Sequence, residues 1–133
     1  DMIKLYFVNH CYSSKRAREW LNSYNIPFTE INVAKDDLST TEFLHILSLT
    51  ENGIDDILLE RSTIYKKYHH SFEESSLSEM ISFLKKYRTV IRTPIIVDET
   101  KLLVGFTENR ARKFLPRFHK NIYFDFIAEN KAE

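Results

Sequence analysis

Residues 3–33 carry two strand-type runs separated by one helix-type run, and that spacing restricts the possible folds more than any other feature of the chain. IKLYFV, residues 3–8, is apolar almost throughout, as a strand covered on both faces would be. From Ser13 or Ser14 to Tyr24 the apolar residues Ala17, Trp20, Leu21 and Tyr24 fall at helical spacing, and a serine at the start can cap the helix. Asn25-Ile26-Pro27 ends it, and FTEINV, residues 28–33, alternates as a second strand. A strand–helix–strand unit of this length implies a parallel pair.

The middle of the chain reads as helical. Ser39 with Glu42 three residues later is a capping pattern, followed by Phe43, Leu44, Ile46 and Leu47. Thr50-Glu51-Asn52-Gly53 breaks that helix, with Gly53 suited to a left-handed C-terminal stop. Short helical pieces are expected over Asp55–Leu59 and Ser62–Tyr68. A longer one runs over Leu77–Tyr87, with Leu77, Met80, Ile81 and Leu84 on one face. TPIIVDE, residues 93–99, is the clearest strand, and LLVGF, residues 102–106, is its expected hairpin partner. Asn109–Leu115 closes with a short helix, and the tail from Pro116 mixes Phe118, Tyr123, Phe124 and Phe126 with charge. The order β-α-β, helical insert, β-β-α, with a cysteine at the first strand–helix join and a proline before the third strand, predicts an α/β, thioredoxin-like fold with an inserted helical domain. On this reading residues 2–133 form a single unit. The thioredoxin-like part covers 2–35 and 90–117, the insert 36–89 and the tail 118–133; Asp1, ahead of Met2, is set aside.

Composition narrows the function classes. Of 133 residues, 19 are basic and 19 acidic, which argues against non-specific DNA binding as the main activity. Gly53 and Gly105 are the two glycines, too far apart for a phosphate-cradling loop. A single cysteine cannot form an intramolecular disulfide. No apolar run approaches the roughly 18 residues needed to span a bilayer, and no signal peptide opens the chain, so the cytoplasm is the expected location and no membrane association is expected. Adjacent His69 and His70 are expected to point in different directions, and no cluster completes a metal-ligand spacing; neither metal nor cofactor is expected.

Cys11 is the residue with chemistry to offer. A cysteine just ahead of a helix meets unpaired N–H groups and the helix dipole, both of which favour the thiolate, and Lys15, Arg16 and Arg18 bring positive charge nearby. Ser14 stands where a dithiol protein carries its second cysteine. Its hydroxyl can hydrogen-bond a thiolate but cannot resolve a mixed disulfide. His10 is a candidate proton partner, though neighbouring strand residues face opposite ways. Cys11 is also compatible with a plain structural role at the strand–helix corner.

Four separated segments, CYSSKRAREWLNSYNIPFTEINV, TENGIDDILLERS, RTPIIVDETKLLVGF and NRARKFLPR, resemble the Spx group of RNA polymerase-binding regulators within the arsenate reductase-like (ArsC) family. The likeness runs from Met2 to about Arg117, in order and with similar spacing. It implies a thioredoxin-like domain with a helical insert and a stress-response regulator, a monomer, that binds the C-terminal domain of the polymerase α subunit without binding DNA alone. It further implies that Gly53 matches a glycine important for that contact, with Asn52 and Asp55 beside it. Ser48 stands where the family has a basic contact. Turnover by the ClpXP protease is implied too, although the ending Lys131-Ala132-Glu133 is more charged than the endings that protease favours.

The departures from the family pattern matter as much. The second cysteine of the family's CxxC switch is Ser14, so an intramolecular redox switch is not expected. The family arginine just before Pro94, near the thiol, is Thr93, and Arg92 lies one place earlier. Arsenate reductases hold the oxyanion with three arginines; Arg61 matches one, while the other two positions are Thr93 and Phe106, so arsenate reduction is not expected. Two alternatives keep Cys11 in use: a monothiol oxidoreductase, or a sensor capped reversibly by a small thiol.

Overall fold

A computed structural model describes residues 2–116. The first strand, β1 (Ile3–Phe7), lies inside a four-stranded sheet rather than at its edge. Helix α1 (Tyr12–Ser23) returns the chain to β2 (Phe28–Asn32), which pairs with β1 in parallel, Ile3 opposite Phe28 and Phe7 opposite Asn32. On the other side of β1 runs β3 (Ile95–Val97), antiparallel, with β4 (Leu102–Val104) antiparallel at the far edge. The order β2-β1-β3-β4 is the expected thioredoxin-like arrangement.

The pleat sends alternate residues to opposite faces and so makes two cores. Ile3, Leu5, Ile96 and Leu103 pack against Ala17, Trp20 and Leu21 of α1 and against Phe114 and Leu115 near the end of the described chain. Tyr6, Ile95, Val97 and Val104 face the other way, onto Phe43, Ile46, Ile57, Ile81 and Leu84. Those residues belong to the inserted segment: α2 (Thr40–Ser48), a 3-10 turn (Gly53–Ile57), α3 (Thr63–Tyr68) and α4 (Leu77–Lys86). The two ends of the insert are clipped together, since the Leu59 N–H donates to Val90 O at 2.7 Å and the Arg92 N–H to Ile57 O at 2.8 Å.

Several elements differ from expectation for local reasons. Helix α1 starts at Tyr12, not at Ser13 or Ser14, and Cys11 is its cap. The strand expected over 93–99 keeps only three residues. Pro94, in a cis peptide bond with Thr93, offers no N–H, and the Asp98 carboxylate accepts from the Thr100 and Lys101 N–H groups to form the turn. Gly53 is left-handed, φ +71°, but α2 has already ended at Leu49; the glycine opens the following 3-10 turn. Leu77 is 54% exposed, off the buried face formed by Met80, Ile81 and Leu84. The last helix, α5 (Glu108–Ala111), starts one residue early on a Thr107 cap and tightens to a 3-10 turn over Arg112–Phe114. His69 and His70 do not diverge: their rings lie 3.9 Å apart, because His69 stacks on Tyr65 and its Nδ1 meets Tyr65 O at 3.0 Å while the 3-10 turn brings His70 alongside. The tail 118–133, with the ending implied to be read by ClpXP, lies outside the described residues.

Candidate functional site

The left-handed turn at His10, φ +61°, delivers Cys11 to the N-terminus of α1. There its Sγ accepts the Ser14 N–H at 3.3 Å, the place usually taken by a serine or aspartate oxygen. Burial pushes the thiol pKa up. Hydrogen bonds from the Ser14 hydroxyl and N–H, the Thr93 hydroxyl and the Ser13 N–H outweigh that and leave it below the ordinary value. The Ser14 side chain is 1% exposed, and its Oγ has no well-formed hydrogen bond among the described residues. Its contribution to the lowered thiol pKa therefore comes without a hydrogen bond of full geometry.

The cations expected to assist the thiolate are occupied elsewhere. Arg18 pairs with Glu30 and lies 4.8 Å from the Phe7 ring. Arg16 sits 5.3 Å over Phe106. Lys15 reaches Glu19 at 4.0 Å, an exposed pair of little strength. Lys15, Arg18 and exposed His10 line an open cleft of about 480 Å³ around Cys11. Hydrogen-bond donors, not cations, lower the thiol pKa here.

Of the three oxyanion positions, Thr93 touches the sulfur, Phe106 is buried against Trp20 with ring centroids 6.3 Å apart, and Arg61 is exposed and does not line this cleft. Arg92 is not at the thiol either. Thr93 and Arg92 point opposite ways, so the Arg92 guanidinium faces a second cleft, with Nη1 3.5 Å from Asp56 O. Pro94 is buried beside Thr93. Among the described residues no group of three His, Cys, Asp or Glu side chains gathers as a metal site would require. No described helix is long and apolar enough to cross a membrane.

The expected partner residues lie along one short path. Exposed Ser48 ends α2, its hydroxyl donating to His45 O at 2.6 Å. The Asp56 carboxylate gathers the Glu51 and Asn52 N–H groups, each at 3.0 Å, and Asn52 Nδ2 at 3.3 Å, which fixes the turn and holds the Asp56 pKa below the usual carboxylate range. Asp55 is exposed, and a Cβ built on Gly53 would meet nothing within 4 Å. The turn is therefore rigid, with open space at its glycine. Sequence reasoning missed Thr93 as a donor to the thiol and the cleft beyond Arg92, because both depend on strands distant in sequence.

The ArsC family model matches residues 6–114. A global transcriptional regulator Spx from Streptococcus pneumoniae R6 is 40% identical over 119 residues, 90% of each chain. The chain belongs to the ArsC family, in its Spx group. A second Spx regulator, from Bacillus subtilis 168, is 38% identical over 116 residues, covering 87% of this chain and 88% of its own. Among solved structures, a Staphylococcus aureus protein determined by NMR matches with TM-score 0.74 at 22% identity, covering 86% of this chain and all of its own. A putative ArsC-related protein from Bacteroides fragilis matches with TM-score 0.71 at 21% identity, over 85% and 98% of the two chains. Both share this chain's fold over most of its length.

Proposed function

We propose that this chain is a transcriptional regulator that binds the C-terminal domain of the RNA polymerase α subunit through the turn around Gly53, with Ser48, Asn52 and Asp55 at its margin. It modulates stress-response transcription without an intramolecular disulfide. The observation that carries this reading is the match, at 40% identity over 90% of both chains, to proteins named as global transcriptional regulators. The turn supports it, because it is hydrogen-bonded in place and leaves open space at Gly53, whose left-handed backbone a larger residue would also strain. The zero net charge supports recruitment by protein contact rather than DNA binding alone. Arsenate reduction is not part of the proposal: Thr93 and Phe106, at two of the family's three oxyanion positions, supply no guanidinium. The protein acts in the cytoplasm as a monomer.

Calorimetry with the isolated α-subunit domain tests the reading. Stoichiometric binding that is unchanged after peroxide treatment and lost in Gly53→Arg is expected. Equal affinity in wild type and Gly53→Arg removes the assigned surface. The lowered pKa of Cys11 favours a second reading, a thiol-capped sensor. There, binding changes on treatment with oxidised glutathione and recovers on reduction, and Cys11→Ser is indifferent.

A further inference from the structure

The cleft that Arg92 faces has a volume of about 360 Å³ and shares no lining residue with the Cys11 cleft. Its walls hold three cations, Arg92, Arg110 and Lys113, and two acids, Glu51 and Asp56. The acids compensate the cations only in part: Arg92 acts on Asp56 through its charge, but no ion pair forms between them. Asp56 spends its carboxylate on the N–H groups of Glu51 and Asn52. The ion pairs among the described residues are Lys15–Glu19, Arg18–Glu30 and Lys101–Asp98, so no described carboxylate pairs with Arg92, Arg110 or Lys113.

The cations are held in place by other contacts. Arg92 Nη1 lies 3.5 Å from Asp56 O, and its Nη2 lies over Gly105, 3.7 Å from where a Cβ would stand. Lys113 Nζ donates to Leu102 O. Burial, and after it the charge of Arg110, lowers the Lys113 pKa against a smaller opposing pull from Asp98, so the crowding of like charge outweighs the nearest anion. Among the described residues most of the Arg92 and Arg110 guanidinium donors remain to be used.

We infer that this cleft is a carboxylate-binding site that seats an acidic side chain of the protein partner docked on the 50–56 turn, an inference that rests on the partner reading above. Thr50, Glu51, Asn52 and Asp56 belong to both the turn and the cleft wall, so a protein covering the turn reaches the cleft's edge. Glu51 and Asp56 repel the continuous charge of a nucleic-acid backbone, whereas a single carboxylate can meet Arg92 and Arg110 in a bidentate pair.

The test is calorimetry of the full chain with the isolated α-subunit domain, for wild type, Arg110→Gln, Lys113→Gln and the double variant. Both side chains are exposed, and an unchanged melting midpoint shows that the variants fold. The double variant is expected to bind about tenfold more weakly, with a shallower salt dependence. Wild-type affinity in the double variant, alongside lost binding in Gly53→Arg, overturns the inference and leaves the partner reading standing. If the wild type does not bind the α-subunit domain, the partner reading fails, and glutarate, a mimic of a glutamate side chain, is titrated into the 15N-labelled full chain. Saturating shifts at the Asn52 and Gly105 amides, absent in the double variant, retain the carboxylate site; linear shifts in both proteins overturn it. Weaker retention on duplex DNA in the double variant, with partner binding unchanged, assigns the cations to phosphates and likewise overturns it.

Discussion

Sulfur at a helix N-cap ties the ionisation of Cys11 to the geometry of α1. The sulfur accepts the Ser14 N–H, and the Ser14 and Thr93 hydroxyls favour its charged form. Ser14→Ala removes one of these donors. Alkylation of Cys11 by iodoacetamide at pH 7 should slow about two- to fivefold, the effect of one net hydrogen bond. The rate-against-pH midpoint should move up. An unmoved midpoint in both Ser14→Ala and Thr93→Val would sink the account. The linkage sign follows from the same shift. The folded thiol has the lower pKa, so its stabilising contribution is complete above the ordinary thiol pKa and fades as pH falls through the folded value. Ser14→Ala should shrink that pH dependence, while at a pH below the folded thiol pKa stability should be unchanged or higher because a buried hydroxyl without a full bond is gone. The cap was expected at a serine and is the Cys11 sulfur, but the strand–helix join that holds Cys11 and Ser14 was legible in the sequence because its signals are local. The roles of Lys15, Arg16 and Arg18 were not: their ends are claimed by Glu19, Phe106 and Glu30, two of which lie outside α1.

The start of α2 shows what local sequence can and cannot fix about an element. Ser39 and Glu42 form the expected capping box, each side chain meeting the other's backbone N–H at 3.1 and 2.8 Å. The pattern did not disclose that Tyr6 of β1 donates its buried hydroxyl to the same Glu42 carboxylate at 2.8 Å, tying the insert to the sheet. Burial raises the Glu42 pKa, and the Ser39 N–H, the Tyr6 hydroxyl and the Ser39 hydroxyl together bring it below the usual carboxylate value. Stability from this group is therefore present above the ordinary glutamate pKa and is lost as pH falls through the folded one. Tyr6→Phe should cost about 1–2 kcal/mol at pH 7 and flatten the loss of stability between pH 5 and pH 3, both read from urea midpoints. An equally steep acid limb in the variant would mean that Glu42 does not carry it. Strand β3 makes the complementary point. Its apolar run was plain, but its ends are set by the missing N–H of Pro94 and by the Asp98 turn, so three residues pair where seven were expected.

Helix α4 and helix α1 pack into separate cores on opposite faces of the sheet, yet each depends on the other through the strands between them. Leu84 of α4 is fully buried in one core and Leu21 of α1 in the other, and the strands contribute alternate residues to both. The βαβ unit and the hairpin were legible because their periodicity is short-range. That the insert would lie flat against the second face of the sheet was not, since Tyr6, Ile95, Val97 and Val104 look like ordinary strand residues in sequence. An insert that shares its core with the sheet has no apolar interior to retain once the sheet opens, so the chain should unfold in one step. Leu84→Ala and Leu21→Ala, cutting from opposite faces, should each cost about 2–5 kcal/mol. Trp20, the one tryptophan, packs on the α1 face, while far-UV circular dichroism reads the helices on both faces. In Leu84→Ala the fluorescence and dichroism midpoints should fall together although the cavity lies across the sheet from the fluorophore. If dichroism were lost first while Trp20 kept its native emission, the insert would be melting alone, and the face it lays on the sheet would be a docked contact rather than a shared core.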